Sequence, residues 1–246
     1  MRTIILNTKN EFYKLISKRK YFVILIIGML ICIGRLGGTI LISRLSHGEV
    51  VIKSNMIMEM LAMCTGIFTP LIVFMAVTDL FASEIQEDTM KASLLRPVSR
   101  FKVLTSKAAA AFLVGALCFA VFFVTCFVLQ LISGASFAAV HTLLAYVIDL
   151  VPVIALVFGA VLINLVSKSP SLAMLLCIGI YALFKYLNYF VSPLGQLVFT
   201  AYSQWHNLWL GTQIPFNAMI SKIGILFGSI LILYTASYII FDKKDF

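Results

Sequence analysis

Apolar residues in this chain fall into six long blocks separated by shorter polar connections. A helix needs about 20 predominantly apolar residues to cross the hydrocarbon core of a bilayer. The pattern therefore predicts an all-α integral membrane protein with six spans. The predicted spans cover residues 21–42, 56–78, 108–133, 142–166, 171–192 and 219–240.

Residues 1–20 precede the first block and carry a different pattern. At helical spacing, apolar side chains share one face and polar or basic side chains the other, which is typical of a helix lying in the headgroup plane. We predict such an interfacial helix, and the alternative is a basic flank that only fixes orientation. The two faces are Ile4, Ile5, Phe12, Leu15 and Ile16 against Asn7, Glu11, Lys14 and Lys18.

The longest polar interruption, residues 79–107, lies between the second and third spans. It holds four of the ten acidic residues and five of the nineteen basic ones, with the acids first. A short helix is predicted at Thr89–Leu95, capped by Asp88 or Thr89, and Pro97 breaks it because the residue before proline avoids helical geometry. Ser99 is placed to cap the helix that enters the third span.

Two other connections complete the arrangement. Ser169 and Pro170 provide an N-cap and a first helical residue for the fifth span. Residues 193–218 lack charged side chains but contain several aromatic ones. Such a segment suits the membrane interface, and we predict a short external re-entrant cap between the fifth and sixth spans.

Composition and charge narrow the class of protein. The chain is 61% hydrophobic and 12% charged with a mean hydropathy of +1.04, which excludes an ordinary soluble domain. The spans leave no room for a second domain, so residues 1–246 are expected to form one. The net charge of +9 is concentrated on one side of the alternating spans. This asymmetry places both termini in the cytoplasm and argues against a nucleic-acid partner.

Catalytic and cofactor motifs are absent from the sequence. It has no G-x-x-x-x-G-K-[ST] phosphate loop, no H-E-x-x-H and no G-x-S-x-G. The five cysteines show no paired spacing, and the three histidines are far apart. The chain is therefore expected to bind no metal or cofactor and to catalyse no covalent step.

Three charged residues fall inside predicted spans, where an unpaired charge is costly. Asp149 and Lys185 reach a similar depth on neighbouring helices, so we predict that they form an ion pair, with Arg35 at a comparable height. The group either faces a translocation path or serves as a structural ion pair.

The 79–107 segment resembles a known pattern. In permease subunits of bacterial ABC-2-type exporters, a glutamate, a glycine-containing turn, a threonine and two leucines precede Pro-Val-Ser-Arg, and a lysine follows before the third span. The matching residues here are Glu84, Thr89, Leu94, Leu95, Pro97, Val98, Ser99, Arg100 and Lys107. The departure is Asp88, where glycine is usual.

The resemblance implies a division of labour between chains. Two copies of a separate ATP-binding cassette subunit would bind ATP and Mg²⁺, and this chain would pair with a second permease copy in the bacterial cell membrane. A hydrophobic or amphipathic peptide, toxin or drug would move outward. The segment would act as the coupling helix, with Arg96 and Arg100 facing carboxylates of the ATPase. The implied coupling residues are Glu84, Glu87, Asp88, Thr89, Lys91, Leu94, Leu95, Arg96, Pro97 and Arg100.

Other functions remain open at this stage. An ion-gradient-driven transporter or channel would also be polytopic, but such proteins often show internal repeats and midplane ionisable residues. An intramembrane enzyme would need a clustered nucleophile and base. A non-transporting immunity or sensory protein has no distinguishing sequence feature.

The charge asymmetry makes a prediction about topology. Cysteines introduced at Lys91 and Gln204 should react with an impermeant thiol reagent from opposite sides of the membrane, in a background lacking the native cysteines. Labelling of both positions from one side would contradict the topology.

Overall fold

The computed structural model describes residues 2–45, 55–94, 98–134, 137–190, 198–210 and 216–244. Over these residues the chain is helical, without strands. The helices are α1 (Arg2–Ile16), α2 (Arg19–Leu45), α3 (Met56–Met63), α4 (Thr69–Leu80), α5 (Ala82–Gln86), α6 (Thr89–Leu94), α7 (Arg100–Ser133), α8 (Ala139–Ile148), α9 (Leu150–Val166), α10 (Pro170–Phe190), α11 (His206–Leu210) and α12 (Phe216–Lys243). A π-helical turn, Cys64–Phe68, joins α3 to α4, and a 3₁₀ turn spans Phe199–Tyr202.

The all-α membrane fold with six spans is confirmed. Within the described residues, six stretches are long and apolar enough to cross a membrane. They are Arg19–Leu41, Met56–Gln86, Arg100–Ser133, Ala139–Val166, Pro170–Leu187 and Met219–Lys243.

The second and third spans are longer than the apolar pattern predicted. The second continues to Gln86 and the third begins at Arg100, so helix occupies much of the polar interruption. Asp79, Glu84 and Lys107 lie buried within these extensions, and each is held in an ion pair described below. Pairing explains why hydropathy alone misplaced the boundaries.

Helices α4, α7 and α9 form the centre of the bundle. α1 and α2 pack against α7, α10 packs against α4, and α12 packs against α9. The three central helices come close together at Gly115 of α7, where a Cβ atom would lie 3.0 Å from Val73 of α4 and 3.2 Å from Val153 of α9. The missing side chain lets three helices meet at one level.

Local caps match several sequence expectations. The Ser169 hydroxyl accepts a hydrogen bond from the Leu172 N–H at 3.4 Å, and Pro170 begins α10. Ser99 precedes α7 with extended N-cap geometry, although its side chain makes no capping bond. Gly134 ends α7 with a φ of 68°, the left-handed geometry typical of a C-terminal cap.

Between 193 and 218, the described residues contain the 3₁₀ turn and α11. Trp205 and His206 are buried there against the bundle, while Trp209 is half exposed. The 3₁₀ turn and α11 lie at one end of the bundle, which we call the cavity end. Helices α1, α5 and α6 lie at the opposite end, which we call the basic end.

The packing of α2 against α7 predicts a crosslink. The Sγ atoms of Cys32 and Cys126 lie 3.4 Å apart, and both thiols are buried. A membrane-permeable oxidant should join them into an intramolecular disulfide, detected by mass spectrometry of the digested protein. Cys177, on α10, should stay reduced and serves as the internal control. A Cys32–Cys177 product, or no product, would contradict this helix arrangement.

Candidate functional site at the basic end

A buried lysine lies at the centre of the basic end. Lys107 on α7 has a side chain that is 1% exposed. Its Nζ atom donates to Glu84 Oε2 of α5 at 2.7 Å and to Glu11 Oε1 of α1 at 3.0 Å. Three helices that are far apart in sequence therefore meet on one ammonium group. Burial of this charge is tolerated because two carboxylates surround it.

The second oxygen of Glu84 is also occupied. Lys14 Nζ on α1 donates to Glu84 Oε1 at 2.6 Å. Partial burial of Lys14 opposes its charge, but the hydrogen bond to Glu84 and the nearby carboxylates outweigh burial and raise the pKa of Lys14 above its ordinary value. We call Glu11, Lys14, Glu84 and Lys107 the buried clamp.

A second group of charges holds the start of the first span. Asp79 of α4 is buried and accepts hydrogen bonds from Lys20 Nζ at 2.6 Å and from the Tyr21 hydroxyl at 2.8 Å. Lys18 Nζ lies 3.1 Å from the same carboxylate. The link between α1 and α2 is thereby fixed to the second span.

The apolar face predicted for the N-terminal helix is divided between two environments. Leu15 is fully buried, and Phe12 is partly buried against the core. Ile5 is 67% exposed and faces away from the bundle. The same helix thus contacts α7 and leaves an apolar strip outside.

The connection beyond α5 is an exposed polar turn. Glu87, Asp88, Thr89 and Lys91 are exposed, whereas Met90 is buried and anchors α6 to the bundle. Lys91 Nζ lies 2.8 Å from Asp88 Oδ1. We call residues 82–94 the coupling segment, after the role that the resemblance implies for them.

Asp88 occupies the position at which the pattern that this segment resembles has glycine. Its φ is 54°, the left-handed region that favours glycine and that aspartate enters more readily than most other residues. The turn before α6 is therefore kept in spite of the substitution. Leu95, Arg96 and Pro97 lie outside the described residues, and Leu94 ends α6.

Arg100 has a different position from the one expected of a residue that reaches towards a partner. Its Nη1 atom donates to the backbone carbonyls of Phe241 at 3.4 Å, Lys244 at 3.1 Å, and Asp242. These groups form the C-terminal end of α12, where unsatisfied carbonyls attract cations. We therefore assign Arg100 to the cap of α12, and its contact with a carboxylate of the partner stays a prediction.

The same end of α12 reaches a third helix. Lys244 Nζ donates to the carbonyl of Leu165, in the last turn of α9, at 2.6 Å. The start of the third span is thus connected through Arg100 and the α12 terminus to the end of the fourth span.

The charges inside the spans have partners other than those predicted. Asp149 lies between α8 and α9, where it accepts from the His206 backbone N–H at 2.6 Å and is 2.8 Å from the ring Nδ1. Lys185 donates to the carbonyl of Gly66 in the π-helical turn at 2.9 Å. The predicted Asp149–Lys185 pair is therefore wrong, because the external segment places His206 against Asp149 and Lys185 bonds the Gly66 carbonyl instead. Arg35 pairs with Glu59 at 2.8 Å.

Sequence reasoning missed the partners of the buried clamp. Glu11 and Lys14 are three residues apart on the polar face of α1, a spacing that places both on one side of a helix. That spacing was a usable signal, although nothing local linked it to Lys107. His206 had no such signal, because its partner lies 57 residues earlier. Among the described residues, no cluster of histidine, cysteine or acidic side chains could hold a metal ion.

Comparison with known proteins covers most of the chain. A family model described as ABC-2 family transporter protein matches residues 8–185. The match includes all four residues of the buried clamp and the whole coupling segment. Among curated proteins, no match to the chain was found.

The buried clamp predicts an asymmetric response to removal of its charges. Lys107→Met leaves Glu11 and Glu84 close together in a buried site, and breaking a buried ion pair costs about 3–5 kcal/mol of stability. Lys91→Met removes only an exposed pair and should cost less than about 1 kcal/mol. Denaturant unfolding of the purified protein in detergent measures both.

A compensating variant separates charge from packing. Glu11→Gln combined with Lys107→Met should recover part of the lost stability, because Glu11 forms no other ion pair among the described residues, whereas Glu84 keeps its bond to Lys14. Equal stabilities of Lys107→Met and Lys91→Met would contradict the buried clamp.

Proposed function

This chain belongs to the ABC-2 family of transporter proteins, and from that membership we propose that it is the permease subunit of an exporter powered by a separate ATP-binding cassette subunit. As a family member it is a multi-pass membrane subunit of an ABC system. The proposal adds a hydrophobic or amphipathic peptide, toxin or drug as cargo, outward transport, and a dimer of permeases with two ATPases. ATP and Mg²⁺ would be bound by the ATPase.

The buried clamp is the observation that carries the proposal. Through Glu84 and Lys107 the coupling segment is joined to the third span, and through Lys14 to the N-terminal helix. α5 also continues directly from α4 in the second span. A force applied to α6 would therefore move two spans and α1 together rather than bend an isolated loop.

The exposed turn supplies a surface on which an ATPase could dock. Glu87 and Asp88 precede Lys91, so the turn presents both signs of charge within a few residues. Complementary charges of this kind determine which partner binds and in which register it docks more than they increase the affinity. Met90 faces inward and holds the turn to the bundle.

The Arg100 cap extends the same mechanical link to the remaining spans. Arg100 begins the third span and holds the end of the sixth, and Lys244 connects that end to the fourth. A displacement of the coupling segment would thus reach the fourth and sixth spans through backbone carbonyls. Alternating access requires such concerted movement.

The proposal also implies which side of the membrane the basic end faces. ATP is cytosolic, so the basic end with its coupling segment would face the cytoplasm, in agreement with the positive-inside asymmetry. The two chain termini would lie on that side, and the membrane would be the bacterial plasma membrane.

An ion-gradient mechanism has less support from the described residues. The charged side chains named within the spans are held by local partners: Asp149 by His206, Arg35 by Glu59, and Lys185 by a carbonyl. A proton or sodium pathway would need ionisable groups that exchange partners across the bundle.

A charge swap tests the docking surface. Glu87→Lys combined with Lys91→Glu reverses the order of charges while leaving the net charge unchanged, so the topology signal is preserved. We expect co-purification of the cassette ATPase from native membranes, and ATP-dependent transport, to fall on the order of tenfold or more, because like charges would face each other.

The matched control is the swap Lys9→Asn with Asn10→Lys, which also leaves the net charge unchanged, at exposed residues of α1 outside the buried clamp. It should leave co-purification and transport unchanged. Equal effects of the two swaps, or the absence of any cassette ATPase from the unmodified preparation, would contradict the proposal.

A further inference from the structure

An apolar cavity of about 270 Å³ lies within the membrane part of the bundle. Its walls come from α4, α9, α10 and α12. This volume exceeds the roughly 150 Å³ that accommodates benzene in an engineered cavity and falls below the 300–1,000 Å³ typical of drug-sized ligands. It suits one unbranched alkyl chain. The wall includes Phe74, Leu156, Ala160, Cys177, Phe184 and Leu233.

A smaller cavity of about 30 Å³, whose mostly apolar lining includes several polar side chains, adjoins the first at the cavity end. The two share three lining residues, Leu156, Tyr181 and Thr200. A cavity of this size holds little more than one water-sized group. It therefore admits a hydroxyl but excludes a phosphate headgroup.

One polar atom at the junction lacks a partner. Thr200 is 4% exposed, and its Oγ1 atom is buried without a hydrogen bond among the described residues. Such groups are rare in native structures, since an unsatisfied buried hydroxyl costs free energy. Tyr181, beside it, already donates to the Gly66 carbonyl at 3.2 Å. A ligand placed in the two cavities would complete the bonding of Thr200.

The lining of the small cavity also restricts the charge of any ligand group that enters it. Asp149 lines the small cavity, is 1% exposed, and has both carboxylate oxygens bonded to His206. Its negative charge opposes an anionic group, and each of its oxygens already lies within hydrogen-bonding distance of His206. An uncharged hydrogen-bonding group fits best.

We propose that the two cavities bind a single-chain amphiphile with an uncharged, hydroxyl-sized polar end. Its alkyl chain occupies the 270 Å³ cavity, and its polar end bonds Thr200 Oγ1. The identification of this amphiphile as cargo rests on the proposed transport function, whereas the binding itself does not.

The test uses the purified full-length chain in phosphatidylcholine nanodiscs, without ATPase or ATP. A photoreactive diazirine derivative of n-decanol is the probe, and unlabelled n-decanol and n-decane are the competitors. We expect saturable labelling of peptides from α9 and α10, with both compounds competing. Labelling that rises linearly with probe and resists competition shows partition into bilayer only and overturns the proposal.

Two variants locate the site. Thr200→Val keeps the side-chain shape and removes the hydroxyl, so the Kd of decanol should rise roughly two- to tenfold while that of decane stays the same. Ala160→Phe fills the apolar cavity and should abolish saturable binding of both. The control Ile178→Phe, on the exposed face of α10, should change neither.

The variants also give the results that refute the site. Equal changes in the Kd of decanol and of decane in Thr200→Val would show that Thr200 does not bind the polar end. Loss of saturable binding in Ile178→Phe would show that the ligand does not bind in the cavity. Retention of the Cys32–Cys126 crosslink in each variant shows that the bundle is folded. Loss of saturable binding overturns this site and leaves ATPase coupling intact, whereas failure of the charge-swap experiment leaves amphiphile binding intact.

Discussion

The ammonium group of Lys107 is the constraint on which the basic end depends. A lysine that is 1% exposed inside a bundle must have opposite charge around it, and among the described residues Glu84 and Glu11 provide that charge. To reach it, α5 must continue from the second span, and α1 must fold back along α7. The position of α6 then follows, because only the turn at Glu87 and Asp88 separates it from α5. One buried charge thereby determines how four helices are arranged.

The bilayer imposes the second constraint, since each backbone group within it must be bonded by the chain itself. Long helices satisfy this in their interiors, and their ends need other solutions. At the basic end, side chains supply them: Arg100 bonds the terminal carbonyls of α12, and Lys244 bonds the last turn of α9. These caps also connect the third, fourth and sixth spans. Backbone satisfaction and mechanical connection are therefore achieved by the same two side chains.

Whether a feature could be predicted from the sequence depended on how far apart along the chain the interacting residues lie. The spans follow from apolar run length, and α6, the Ser169 cap and the start of α7 follow from signals within a few residues, so these were predictable. Lys107 and Glu11 are 96 residues apart, and His206 lies 57 residues from Asp149. Such partners depend on how the helices pack, which no local pattern specifies. The Asp149–Lys185 pair failed for this reason: similar depth permits contact but does not select the nearest partner.

Each end of the bundle has a buried polar atom without a partner among the described residues, Glu11 Oε2 in the buried clamp and Thr200 Oγ1 at the cavity end, but the surroundings of the two atoms differ. In the buried clamp, Lys107 and both oxygens of Glu84 are engaged, so the coupling segment has little freedom to move independently of the spans. At the cavity end, Thr200 keeps an unbonded hydroxyl beside an apolar space. A ligand there would gain a hydrogen bond and an apolar contact without breaking either. Under the proposal, the alkyl chain packs between α4, α9, α10 and α12 without disturbing the bonds of the buried clamp.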